Sequence, residues 1–256
     1  MNTNSYISRF LLGGYDLEML TIRQMLEGTE GCIIEDKHLN WDNAWLSAYR
    51  EELSQDANCN IYGIELREDI PLPSGYCRID HHNDWADKPS SLEQVAEVLG
   101  VELTKYQQIV AANDKGYIPA MEALGASQEE INEIRRADRV AQGVTEEDEA
   151  LAEKSIAENM SVYEGLTVVR AFSPRFSPIC DRLFPYQRLL IYTDAEWLFY
   201  GEGTAKLVSV LAKEIQQGKV YYGGGVNGYV GIVQNACDKR EIEQYVNIII
   251  RQYEHK

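Results

Sequence analysis

The sequence predicts an α/β protein: a mostly parallel sheet with flanking helices, followed by a smaller α+β C-terminal domain. Three observations predict it. Over residues 1–124 short apolar runs alternate with stretches of helical period, the pattern of βαβ units. From Gly165 onward, strand-like runs follow one another closely, which sets off residues 165–256 as the second domain. Between them, residues 125–164 are charge-dense and helical and read as connecting helices.

Each element has its own signal. Residues 7–12 form a first strand, and Gly13-Gly14 turn the chain. A helix then opens at Tyr15-Asp16-Leu17-Glu18, with Leu17, Leu20, Ile22, Met25 and Leu26 at helical spacing. Residues 31–35 read as the second strand. Residues 40–53 read as a helix whose stripe of Trp41, Ala44, Trp45, Ala48, Tyr49 and Leu53 is expected to face the core. Residues 60–66 are a third strand, and residues 76–80 a fourth. Ser91 with Gln94 predicts a capped helix that Gly100 ends. Another helix runs over about 105–113 and meets Gly116 and Pro119. Ser127 with Glu130, and Thr145 before four acids, start two further helices; Arg135, Arg136 and Arg139 read as a solvated face or as partners of neighbouring acids. Strands follow at 166–172, 188–192, 197–200, 220–225 and 229–234, with helices at 204–216 and 239–253.

Composition narrows the function classes. A hydrophobic share of 45% and a charged share of 25% suit a soluble globular chain with substantial cores. The 41 acidic against 24 basic residues give a net charge of −17, which disfavours long duplex nucleic acid and anionic membrane surfaces as partners. A small phosphorylated substrate or nucleotide remains compatible, because a bound cation reverses the field locally. Five scattered cysteines without a CxxC pair read as free thiols of a reducing compartment. With no apolar run of membrane-spanning length, and Arg9 interrupting the first apolar stretch, a cytoplasmic location is expected.

The chemistry concentrates in residues 76–84, YCRIDHHND. A strand there stops on Asp80, His81 and His82, and ligands bind at the C-terminal strand edge of an open α/β sheet. Two of the chain's four histidines sit in this stretch. Other acids stand at comparable ends: Asp16 and Glu18 after the first strand, Glu65 on the third, Asp114 past an apolar helical run. Taken singly, Asp16 and Glu18 either stabilise a helix N-terminus or hold a metal, and Asp114 is either a turn acid or a ligand. Together, carboxylates with a minority of histidine suit Mn²⁺ or Mg²⁺ better than a thiolate-seeking metal. The glycine-rich stretch Gly223-Gly224-Gly225-Val226-Asn227-Gly228 offers free amides to an anion, or forms a hairpin turn at Asn227-Gly228.

Spaced acids after the first strand, DHH at a later strand end, a further Asp and a GGG loop in the second half occur in that order. In this the chain resembles the DHH phosphoesterases over most of its length. The resemblance implies a phosphohydrolase with a pair of Mn²⁺-type (or Mg²⁺) ions. Asp16, Glu18, Glu65, Asp80, His81 and Asp114 would surround the metals. His82 would face the phosphoryl group, making His82 and Asp80 the catalytic candidates, and Gly223, Gly224, Gly225 and Asn227 would hold the substrate. A cleft between the domains is expected, with Arg170, Arg175, Arg182 or Arg188 as cationic help. Three features depart from the family pattern. The first motif reads Asp16-Leu17-Glu18 in place of DxD, with no histidine in residues 1–37; Glu65 stands where Asp is usual; and Val226-Asn227 follow the glycines where His is usual.

Overall fold

In the computed structural model, which describes residues 8–54, 59–223, 228–233 and 236–253, the first sheet is built around β1 (Ser8–Leu12), buried at four of its five residues. β2 (Cys32–Asp36), β3 (Asn60–Ile64) and β4 (Tyr76–Ile79) complete it in the order β2-β1-β3-β4, all parallel. Leu12 lies opposite Asp36 and Ile64, and Ile64 lies opposite Ile79. The strands therefore end level with one another. Whatever follows each of them emerges at one edge.

Helices α1 (Leu17–Glu27), α3 (Ser91–Leu99), α4 (Lys105–Ala123) and α5 (Gln128–Ala141) pack together beside this sheet. The cap of α3 is Ser90 with Glu93, one residue before the expected pair. Ser91 and Gln94 are otherwise engaged: Ser91 Oγ donates to Glu65, and Gln94 Nε2 donates to the carbonyls of Asp80 and Pro89. The helix expected over 105–113 continues to Ala123, kinked where Gly116 and Tyr117 leave helical geometry. Asp114 thus sits inside a helix, just before the kink, and not at its end.

Residues 40–53 are not one helix. The Asn40 and Asn43 side chains bond nearby backbone N–H groups, which competes with helix formation. Leu46 N and Arg67 N then exchange bonds with Arg67 O and Ala44 O, committing this backbone to the segment after β3. Only a 3-10 turn (Leu46–Tyr49) and the short α2 (Arg50–Leu53) follow. Ala44 and Tyr49 are buried, but Trp41 and Trp45 are exposed, against expectation.

The chain divides into two compact units, Met1–Gly143 and Val144–Lys256. The second begins with α6 (Glu146–Asn159), capped by Thr145 with Asp148. It continues through β5 (Met160–Tyr163), β6 (Leu166–Arg170), α7 (Ser177–Leu183), β7 (Arg188–Tyr192), β8 (Trp197–Gly201), α8 (Thr204–Val210), α9 (Ala212–Gln216), β9 (Val220–Gly223), β10 (Tyr229–Ile232) and α10 (Lys239–Arg251). Its sheet runs β5-β6-β7-β8-β10-β9, with only β6 and β7 parallel. One face packs Leu190, Trp197, Phe199 and Val230 with Ile242, Val246 and Ile249 of α10. The other packs Val169, Leu189 and Ile191 with Ala152, Phe176 and Ile179. β5 and α7 had no sequence signal of their own, because four and seven residues are too few to show a period. Three of the four arginines expected near a substrate pair with acids: Arg170 with Asp194, Arg182 with Glu149 and Glu153, Arg188 with Glu202. Among the described residues no helix is long and apolar enough to cross a membrane.

Candidate metal centre

At the level edge of the first sheet each acid is tied down through one oxygen. Asp16 caps α1, its Oδ1 accepting from Met19 N at 2.8 Å. Glu18, in the first turn, accepts from Leu92 N at 3.0 Å through Oε1. Glu65 accepts from Ser91 Oγ at 2.7 Å, also through Oε1. The first turn of α3 therefore clamps both glutamates. Glu65 N still bonds Ile79 O, after which its backbone turns left-handed at φ 53°. Gly13 makes room for that turn: a Cβ on it would lie 2.5 Å from the Glu65 carbonyl oxygen, and closer still to that of Ile64.

After β4, Asp80 turns back on its neighbour. Its Oδ1 accepts from His82 N at 2.9 Å and lies 3.3 Å from His82 Nδ1. His81 is buried. Its Nε2 stands 2.6 Å from Asp114 Oδ2, 3.4 Å from Glu18 Oε2 and 3.5 Å from Glu65 Oε1. Glu65, His81, His82 and Asp114 each offer a ligand atom, and these atoms all lie within 4.8 Å of one another. That is the one such group among the described residues. Asp80 stands outside it, and Glu18 joins it through His81.

Three atoms of this cluster are fully buried without a hydrogen bond: Glu18 Oε2, His81 Nε2 and Asp114 Oδ2. His81 and Asp114 approach closely, yet without the alignment of a hydrogen bond. Orphaned buried lone pairs are costly unless something satisfies them. The pKa values show the same frustration. Burial, reinforced by Glu65 and Asp114, holds the Asp16 carboxyl well above its ordinary value. Burial also pushes Glu18 to about 8, against the pull of His81. For His81 burial opposes the charged form, but the close carboxylates of Asp114, Glu18 and Glu65 prevail and raise it to about 12. The same contest, decided by Asp80, raises His82, and His82 in turn holds Asp80 below its usual value despite burial. Carboxylate oxygens with one or two imidazoles, converging and unsatisfied, fit a hard divalent cation of the Mn²⁺ or Mg²⁺ class.

Two contributors escaped the sequence reading. The first turn of α3 bonds Glu18 and Glu65 across 74 and 26 residues, which no local pattern reveals. α5, read as having a solvated or acid-paired face, buries Arg135, Asp138 and Arg139. Arg135 Nη1 donates to Asn113 Oδ1 at 2.9 Å and to Asp138 Oδ2 at 2.8 Å, and Asp138 Oδ1 accepts from Leu17 N at 3.4 Å. Of the predicted substrate loop, Gly223 ends β9, paired with Tyr229 of β10. Gly224, Gly225 and Asn227 lie outside the described residues.

No family model and no curated protein matches the sequence. Solved structures do match the fold. The pGpG-specific phosphodiesterase PggH from Vibrio cholerae is 12% identical, with a TM-score of 0.51 over 96% of this chain and 98% of its own. RecJ from Thermus thermophilus, in complex with Mn²⁺, matches at a TM-score of 0.42 and 12% identity over 97% of this chain but 52% of its own. The likeness to PggH is one of fold. The resemblance to DHH phosphoesterases, carried in the sequence by the order of motifs, thus extends to the architecture that presents them.

Proposed function

We propose that the chain is a metal-dependent phosphohydrolase acting on a small nucleotide or another phosphorylated compound. The convergence of Glu18, Glu65 and Asp114 on His81, with Glu18 Oε2, His81 Nε2 and Asp114 Oδ2 buried and unsatisfied, carries the reading. The fold shared with a pGpG-specific phosphodiesterase supports a small nucleotide substrate. The net charge of −17 favours a short phosphoester over long nucleic acid. Asp16, Glu18, Glu65, His81 and Asp114 would hold the cations, a pair as the resemblance to DHH phosphoesterases implies, with Asp80 at the rim. Bound Mn²⁺ or Mg²⁺ supplies a Lewis acid for the phosphoryl oxygens and a water of lowered pKa. His82, its Nδ1 held by Asp80, keeps a proton available to a phosphoryl oxygen. Gly223, Gly224, Gly225 and Asn227 are assigned to the substrate.

Release of phosphate or nucleotide from a panel of small phosphoesters tests this directly. Turnover is expected to need Mn²⁺ and to fall by about two orders of magnitude or more in His81→Ala, the scale on which positioned charge contributes. Turnover indifferent to both would overturn it. A second reading, a binding or regulatory protein that has lost catalysis, has in its favour the missing histidine of the first motif and the altered glycine stretch, with Val226-Asn227 where His is usual. Elemental analysis separates the two: two tightly held ions support the enzyme, and one weak ion or none supports the binding protein.

A further inference from the structure

Of the exposed tryptophans, Trp45 lies under the guanidinium of Arg67 at 5.1 Å and Trp85 under that of Arg78 at 4.8 Å. Trp41 is different. It is 40% exposed, and its ring contact is edge-on to His82, with centroids 5.0 Å apart and planes at 68°. His82 in turn lies 4.2 Å from the His81 ring, centroid to centroid. His82 Nδ1 also stands 3.9 Å from Glu65 Oε1, so one ring separates the indole from that buried carboxylate.

Its place is fixed from two sides. Gly14 leaves bare backbone beneath it: a Cβ there would meet Trp41 Cζ2 and Cη2 at 3.5 and 3.6 Å, and Glu65 Oε2 at 3.3 Å. The loop that carries Trp41 is braced by the Asn40 and Asn43 side chains, and is tied to the chain just beyond Glu65 by the bridge from Trp45 to Arg67. A large apolar ring, exposed and beside the histidine assigned to the phosphoryl group, is a surface on which a second ring can stack. A nucleotide carries its base one sugar away from its phosphorus, a spacing that matches one ring of separation. Stacking also adds affinity that owes nothing to charge, which a chain of net charge −17 needs if it is to hold an anion.

We infer that Trp41 is a base-stacking subsite, so that the substrates are phosphoesters carrying a nucleobase. The inference rests on the phosphohydrolase reading above and narrows its substrate class. Calorimetric titration of guanosine 5′-monophosphate and of ribose 5-phosphate into the Mn²⁺-loaded and metal-free protein tests it without requiring turnover. The wild type is expected to prefer the base-carrying ligand. Trp41→Ala should shrink that preference by roughly 5- to 150-fold, the range for one stacked base, while Trp41→Phe keeps most of it. A preference unchanged in Trp41→Ala, or absent from the wild type, would overturn the subsite. So would an equal loss for both ligands, which assigns Trp41 only to orienting His82. If the preference is seen but no phosphoester is turned over, the subsite stands and the hydrolase reading falls.

Discussion

His81 and Glu18 hold the site's proton balance. In the metal-free protein burial raises Asp16 and pushes Glu18 to about 8, while the surrounding acids raise His81 to about 12. Glu18 and His81 must give up protons to ligate a cation, so Mn²⁺ uptake is expected to release protons and to strengthen as pH rises. The sign for folding is opposite. Between about 4.5 and 8 the folded state binds more protons at Glu18 than the unfolded chain does, so this group's contribution falls with rising pH. His81 contributes fully below its ordinary 6.5 and loses that contribution as pH rises towards 12. Asp80, held low by His82, acts in the reverse sense, but only at acid pH. Melting temperatures of chelator-treated protein should therefore decline from about pH 6 to about pH 9, and saturating Mn²⁺ should remove the decline. A metal-free protein that gains stability over that range would refute this account. That two of the chain's four histidines stand with an acid at the end of a strand could be read from the sequence. That Asp80 turns to His82 and leaves the group could not: only the side-chain torsion after β4 decides it.

At the scale of elements, the site follows from four strands ending level and from two helices that reach across. The strands and their order of motifs could be read from apolar runs and turns. The helices that hold the acids could not, since α3 and α5 act through partners far away in sequence. Arg135 is the clearest case. From α5 it grips Asn113, the residue before Asp114, while its partner Asp138 lies 3.4 Å from Leu17 N, between Asp16 and Glu18. It is a positioning residue for both segments. Arg135→Met should leave Asp138 buried without that cation, a loss of about 3–5 kcal/mol in stability. It should also weaken Mn²⁺ binding by roughly 10- to 100-fold, as loss of supporting bonds around metal ligands does. Arg135→Lys keeps the charge but not the fork, and should recover stability more than metal affinity. Unfolding in denaturant and metal titration of the folded variant report the two effects separately. Metal affinity undiminished in folded Arg135→Met would show that α5 merely packs.

For the molecule as a whole, every candidate metal ligand lies in the unit Met1–Gly143, and the second unit has a separate sheet and separate core clusters. The sequence sets residues 125–164 apart as connecting helices, whereas the charged helices there divide between the units, α5 with the first and α6 with the second. Their charges misled because capping boxes and buried pairs use the same residue types as solvated faces. This division has a thermodynamic consequence. A ligand that binds only folded protein stabilises it by about 2.7 kcal/mol at a hundred times its Kd, and that gain belongs to the unit that binds. Scanning calorimetry of the full chain should resolve two transitions, and Mn²⁺ should move one of them upward. His81→Ala should abolish that shift while leaving the other transition in place. Should Mn²⁺ raise both transitions equally, the units unfold as one cooperative system; should it raise only the one that His81→Ala leaves untouched, the cation binds elsewhere and the centre described above is not its site.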